Sequence, residues 1–108
     1  MSINRGYDII LYLGSDLTIA WTGLTGATFT SATPTFRVSR TPGGNAIFEK
    51  TSGSGITVVS DTAVTITIDE ADFDDPGLYY HGLQQNLAGA TTLIATGRVV
   101  VRGAPQDI

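Results

Sequence analysis

The sequence lacks cysteine altogether and contains one histidine, His81, among its 108 residues. Without cysteine, the chain has no disulfide, no thiol nucleophile, and no thiolate ligand for zinc or an iron–sulfur cluster. A single histidine cannot form a multi-histidine metal site within one subunit. We therefore expect no cofactor and no catalytic residue that depends on these side chains.

Charge is also scarce, since 15% of the residues are charged and Lys50 is the only lysine. Six basic residues against ten acidic ones give a net charge of −4, and the five arginines are spread along the chain. Nucleic-acid binding needs a clustered basic surface, and a membrane span needs about 20 consecutive apolar residues. Neither pattern occurs, so we expect neither partner.

The remaining composition predicts a folded domain, because 42% of the residues are hydrophobic. The length fits a single domain over residues 1–108. Alternating apolar residues, with glycine-rich breaks between them, are typical of short β-strands. We expect an all-β chain of seven or eight strands that form two packed antiparallel sheets, a β-sandwich. The predicted strands are 7–13, 17–22, 35–40, 46–51, 56–59, 63–68, 77–85 and 91–102, with one helical turn between 69 and 75.

The most informative motif is Asp75-Pro76-Gly77-Leu78-Tyr79. It resembles the Asp-x-Gly-x-Tyr pattern that opens the penultimate strand of immunoglobulin-like domains. There the tyrosine hydroxyl bonds back to the backbone of the preceding loop. The resemblance implies a structural corner in which Tyr79 is the corner tyrosine, Gly77 frees the turn and Asp75 caps it. His81 then stands where immunoglobulins place their second disulfide cysteine.

Five carboxylates crowd into the seven residues that end at the first residue of this motif. Oxygen-rich loops of this kind can bind calcium, although the spacing is not that of an EF-hand. The alternative is a solvated loop whose acids cap a short turn. The candidate calcium ligands are Asp69, Glu70, Asp72, Asp74 and Asp75.

Two further functions deserve comparison with a purely structural role. Catalysis would require His81 to activate one of many hydroxyls, but a histidine within a strand is more often a packed residue. A sugar-binding platform would use exposed tyrosine faces. The candidates are Tyr7, Tyr12, Tyr79 and Tyr80, and at least half of them should lie in the core.

Taken together, the segments resemble the small immunoglobulin-like β-sandwich domains of tailed-phage and prophage virion proteins, notably the N-terminal domain of baseplate upper proteins. Related domains decorate capsids or form the base of head spikes. The resemblance extends over nearly the whole chain and is made up of several short sequence segments. These are Leu17-Thr18-Ile19-Ala20-Trp21-Thr22, Leu24-Thr25-Gly26-Ala27, Phe36-Arg37-Val38, the run 47–57, Val64-Thr65-Ile66-Thr67-Ile68, Pro76-Gly77-Leu78-Tyr79-Tyr80 and Gly97-Arg98-Val99-Val100-Val101.

The resemblance implies a non-enzymatic building block of a virion, assembled in the host cytoplasm. Its expected partners are capsid, tail or baseplate proteins and further copies of itself. The N-terminal arm 1–6 and the C-terminal tail 103–108 are expected to touch neighbours. The alternative is a carbohydrate- or calcium-dependent adhesion module on a particle or cell surface.

Overall fold

Eight β-strands follow one another along the chain in the computed structural model, which describes residues 4–103 apart from the side chain of Glu70. The prediction of an all-β chain with seven or eight strands is confirmed. The one helical element among the described residues is a 3-10 helix of three residues, Glu70–Asp72, within the segment predicted to turn. The strands are β1 (Ile9–Tyr12), β2 (Leu17–Trp21), β3 (Thr33–Ser39), β4 (Ala46–Ser52), β5 (Gly55–Ser60), β6 (Ala63–Ile68), β7 (Gly77–Leu87) and β8 (Ala90–Arg102).

All eight strands belong to one continuous sheet in the order β1-β8-β7-β3-β4-β5-β6-β2. Five of the pairings between neighbours are antiparallel. The pairings β1–β8 and β4–β5 are parallel, which differs from the antiparallel pairing expected throughout. At β4–β5 the reason is local. Gly53 and Gly55 have φ values of 81° and 100°, and the chain makes a small loop between them before continuing in its original direction.

The core lies between the two halves of this sheet, which therefore folds over on itself. Phe36 and Val38 from β3 pack in one cluster with Ile66 and Ile68 from β6, and none of the four is exposed. Each such side chain contributes about 1.5–3 kcal/mol on burial, so the apolar alternation of the strands sets which face turns inward.

Between β2 and β3, the connection over residues 22–32 is held by a few specific contacts. Its two large apolar residues, Leu24 and Phe29, are buried. The buried side chain of Gln85 accepts a 2.8 Å hydrogen bond from the backbone N–H of Thr28. Thr30 donates to Asp61 from both its backbone and its hydroxyl, and these bonds hold the pKa of Asp61 below its usual value. The loop is thus tied to two strands by polar side chains as well as by apolar ones.

The connection between β7 and β8 is tighter than the sequence predicts. A five-residue loop over 86–90 was expected, but Leu87 pairs directly with Ala90. Ala88 and Gly89 form the turn, with φ values of 52° and 90°. Positive φ at both central residues is the geometry that matches the twist of a two-residue hairpin.

Candidate functional site

The corner motif brings Tyr79 against the loop that precedes β7. Tyr79 is 1% exposed, and its hydroxyl donates a 2.8 Å hydrogen bond to the backbone carbonyl of Asp75. Gly77 adopts a φ of 149°, which lets the chain turn into the strand. The carboxylate of Asp75 lies 3.6 Å from the guanidinium of Arg40. The hydrogen bond from Tyr79 is thus made to the backbone of Asp75.

Three aromatic rings pack around this corner, and we call Phe48, Phe73 and Tyr79 the corner cluster. Phe73 is buried, with its ring centroid 5.1 Å from that of Phe48 and 4.8 Å from that of Tyr79. The guanidinium carbon of Arg40 lies 5.0 Å from the centroid of Tyr79 on the outer side. Phe73 follows the short 3-10 helix, so the cluster fixes the acidic segment to β4 and β7.

The acidic residues before the corner do not converge on one point. The Nζ of Lys50 lies 2.8 Å from Asp72 and 3.7 Å from Asp69, so a cation of the protein already sits between these two carboxylates. Asp74 is exposed, and the side chain of Glu70 lies outside the described part of the chain. Within residues 4–103, no group of three or more histidine or acidic side chains is placed to hold a metal ion.

His81 lies in a second aromatic group, which we call the histidine cluster and which contains Tyr7, Trp21, Phe36 and His81. Its ring stacks on Trp21 with centroids 5.2 Å apart and an angle of 28° between the planes. Phe36 packs at 5.2 Å, and Tyr7 meets the edge of Trp21. Trp21 and His81 come from strands that are not neighbours in the sheet, so this stack joins the two halves across the core.

The hydrogen bonding of His81 fits a neutral, structural ring. Its Nε2 donates a 2.5 Å hydrogen bond to the carbonyl of Tyr7, and its buried Nδ1 has no partner among the described residues. Burial lowers the pKa of His81, against smaller raising effects of the Tyr7 carbonyl and the charge of Asp8. Among the described residues, no serine or threonine hydroxyl is bonded to either ring nitrogen.

The N-terminal segment lies along β8 and contacts His81 through the carbonyl of Tyr7. Asn4 pairs with Ala95 of β8, and its side chain donates to the carbonyls of Thr25 and Ile94. A Cβ at Gly97 would collide with the carbonyl of Tyr7, so glycine is required where the segment passes closest to β8. Part of the predicted arm 1–6 is thus held on the chain's own sheet. Residues 1–3 and 104–108 lie outside the described residues.

The four candidate sugar-binding tyrosines separate by burial. Tyr79 is fully buried and Tyr7 is half-buried in the histidine cluster, whereas Tyr12 is 37% exposed on β1. Tyr80 is half-buried on the outer face of β7, where it lines a groove of about 370 Å³. This groove, which we call the outer groove, also includes Arg5, Arg37, Gly82, Gln84 and Leu93.

A separate apolar surface lies at the β1 end of the same outer face. Ile10 pairs with Val100, which pairs with Leu78, so the three side chains form a row across β1, β8 and β7. Ile10 is 56% exposed and Leu78 is 46% exposed. Tyr12 continues the exposed side of β1, whose other edge has no strand partner in the described sheet. We call this row, with Tyr12 and the free edge of β1, the edge surface.

Comparison with known proteins gives information about the fold alone. No family model matches the sequence, and no curated protein does. Among solved structures, the chain is similar to part of a "putative glycoside hydrolase" from Bacteroides vulgatus, with a TM-score of 0.51 and 11% identity. That match covers 92% of this chain and 17% of the other, so this chain spans about a sixth of its length.

A second similar structure comes from work on T cell specificity and activation by the bacterial superantigen toxic shock syndrome toxin-1. Its TM-score is 0.51 with 17% identity, and the match covers 90% of this chain and 92% of that chain. Identities this low indicate a shared β-fold and carry no activity to this protein. Within residues 4–103, no helix has the length and apolar character needed to cross a bilayer.

Proposed function

We propose that this chain is a non-enzymatic structural component of a phage or phage-derived particle, assembling with capsid, tail or baseplate proteins. The observation that carries the proposal is the edge surface, where an exposed apolar row adjoins an unpaired strand edge. Such surfaces are typical of places where another chain adds to a sheet. The assignment to a virion rests on the resemblance of the short sequence segments named above to phage virion domains.

The non-enzymatic part of the proposal is supported by the surroundings of His81. This residue is the only histidine, and its ring is enclosed by Trp21 and Phe36. Among the described residues, the imidazole ring makes one hydrogen bond, from Nε2 to the backbone carbonyl of Tyr7, and none to a serine or threonine hydroxyl. Its role is to hold the N-terminal segment on the sheet.

Assembly proceeds by adding a strand of a neighbour to β1 while burying Ile10, Leu78 and Val100. The backbone groups of the free edge supply hydrogen bonds, and the apolar row supplies most of the free energy of association. A lasting contact of standard size buries about 1,600 Å² in total. The neighbour is a second copy of this chain or another particle protein, and assembly takes place in the host cytoplasm.

Light scattering on the purified chain at several concentrations tests this proposal. We expect an oligomer that dissociates when Ile10 is replaced by lysine, since the charge would have to be desolvated at the contact. Val59→Lys is the matched control, because Val59 is 65% exposed on β5, away from the edge surface. A monomer at all concentrations contradicts self-assembly, and equal loss in both variants contradicts the assignment of the edge surface.

The alternative, an adhesion module, is favoured by one observation in its carbohydrate form. The outer groove combines an aromatic ring with arginine and amide side chains, which are groups that bind sugars. The calcium form is less well supported, because Lys50 sits between Asp69 and Asp72.

A further inference from the structure

The outer groove has features of a binding site that are independent of the edge surface. Its floor is Gly82, which pairs with Arg37 on β3 and Thr96 on β8. The missing side chain at Gly82 leaves a depression between Tyr80 and Gln84 on the same face. The resulting volume of about 370 Å³ lies at the small end of ligand pockets in proteins, about 300–1,000 Å³.

Two guanidinium groups line this groove although the chain carries a net charge of −4. Arg5 comes from the N-terminal segment, is exposed, and has no ion pair among residues 4–103. Arg37 comes from β3, and its Nε lies 2.7 Å from a carboxylate oxygen of Glu49. Arginine binds carboxylates with paired, directed hydrogen bonds, so the groove has the chemistry to receive one.

The backbone around the groove argues against an extended peptide as the ligand. Strand β7 is paired with β3 on one side and with β8 on the other along this whole stretch. No main-chain groups of the floor are therefore left to pair with an added strand. A ligand here is recognised through the side chains alone.

We propose that the outer groove binds an acidic sugar, with its carboxylate on Arg5 and Arg37. Its hydroxyls meet the side chains of Tyr80 and Gln84, and its apolar ring face lies against Leu93. These groups present both donors and acceptors, as a ring with several hydroxyls requires. The proposal does not depend on assembly through the edge surface, so each can fail separately.

Two-dimensional amide NMR with four probes tests the proposal: D-galacturonate, D-galactose, acetate and a tetraglutamate peptide. Galacturonate is expected to shift the amides of Gly82 and Gln84 and to bind at least tenfold more tightly than the other three. Equal binding of galactose would exclude a carboxylate site. Equal binding of acetate would reduce the groove to an anion site, and tighter binding of tetraglutamate would assign it to an acidic protein segment. No shift with any probe would overturn the proposal.

Arginine variants supply the matched controls. Arg5→Gln and Arg37→Gln are each expected to weaken galacturonate binding about tenfold, because each loses a charge-assisted hydrogen bond. Arg98→Gln makes the same charge change on exposed β8, outside the groove lining, and should alter binding less than about twofold. Equal weakening by Arg98→Gln would mean that only net charge matters.

A glycine variant tests the shape of the groove without changing its charge. A Cβ at Gly82 lies 3.2 Å from Cδ1 of Leu93, so Gly82→Ala fills the floor while Leu93 adjusts slightly. We expect weaker galacturonate binding with an unchanged fold, measured by the same titration. Unchanged binding would contradict the assignment of Gly82 as the floor.

Discussion

The two aromatic clusters stabilise the same strand, β7, by different means. In the corner cluster, the hydroxyl of Tyr79 donates a hydrogen bond to the carbonyl of Asp75, and the neighbouring rings are phenylalanines. In the histidine cluster, His81 satisfies one ring nitrogen and leaves the other buried without a partner among the described residues. The corner cluster should therefore be insensitive to mild acid, and the histidine cluster should not.

The difference also concerns what each cluster holds in place. The corner cluster fixes the short segment from Glu70–Asp72 to Phe73, which is close in sequence to β7. The histidine cluster joins β7 to Trp21 and to Tyr7, which are 60 and 74 positions away in the chain. A local corner can be read from a short motif, whereas a long-range stack cannot.

Removing the central ring of the corner cluster should have the largest effect. Phe73→Ala leaves a cavity between Phe48 and Tyr79, and we expect a loss of about 3–5 kcal/mol in the free energy of unfolding. Denaturant titration measures it. Phe48→Ala, at a half-buried position, is the control and should cost less. An equal cost for both variants would contradict the central place of Phe73.

Removing only the corner hydroxyl should have a smaller effect. Tyr79→Phe keeps the ring and loses the hydrogen bond to Asp75, which costs about 0.5–1.5 kcal/mol. Tyr80→Phe is the matched control, because the Tyr80 hydroxyl has no hydrogen-bond partner among residues 4–103. If both variants have the same stability, then the corner bond contributes nothing.

Mild acid should separate the two clusters. In the unfolded chain, His81 binds a proton at about pH 6.5. In the folded chain it does so only at lower pH, because burial lowers its pKa. Between these values the unfolded state binds more protons, so stability is full above about pH 6.5 and falls as the pH decreases through this window. His81→Phe should flatten that part of the stability curve, measured by thermal unfolding from pH 7.5 to 5. If His81→Phe leaves the curve unchanged, then the pH dependence of stability comes from another group. Tyr79→Phe is the control, and its curve should have the same shape as that of the wild type.

Calcium should have the smallest effect, with no shift in Tm expected for the chelator-treated protein. A calcium site filled at a hundred times its Kd would stabilise the fold by about 2.7 kcal/mol, which is several degrees for a domain of this size. Lys50 between Asp69 and Asp72 leaves no such site among the described residues. A rise in Tm of several degrees on adding calcium would support the alternative function, a calcium-dependent adhesion module.

The sequence allowed the strands and their buried faces to be predicted, because apolar alternation reports burial directly. Val64, Ile66 and Ile68 alternate with threonines along β6, and all three are buried. Leu24 and Phe29 are the large apolar residues of an irregular loop, and both are buried. These are local signals in which residue type and position along a strand suffice.

Pairing between distant segments could not be predicted in the same way. The parallel pairings depend on where Gly53 and Gly55 redirect the chain and on where β1 meets β8. Nothing near Gln85 in the sequence indicates its hydrogen bonds to Thr28. The outer groove likewise combines Arg5 with Gly82, and only the folded chain brings them together.

The continuity of the sheet depends on a very short parallel contact. Strands β4 and β5 are paired at two positions, Thr51 with Gly55 and Ser52 with Ile56, whereas β7 and β8 are paired over most of their length. Local separation of β4 from β5 breaks few backbone bonds, so this junction opens at a fraction of the cost of global unfolding. Amide hydrogens of Thr51 and Gly53 should therefore exchange with deuterium well before those of β7, while the stack of Trp21 on His81 still holds the two halves of the sheet together.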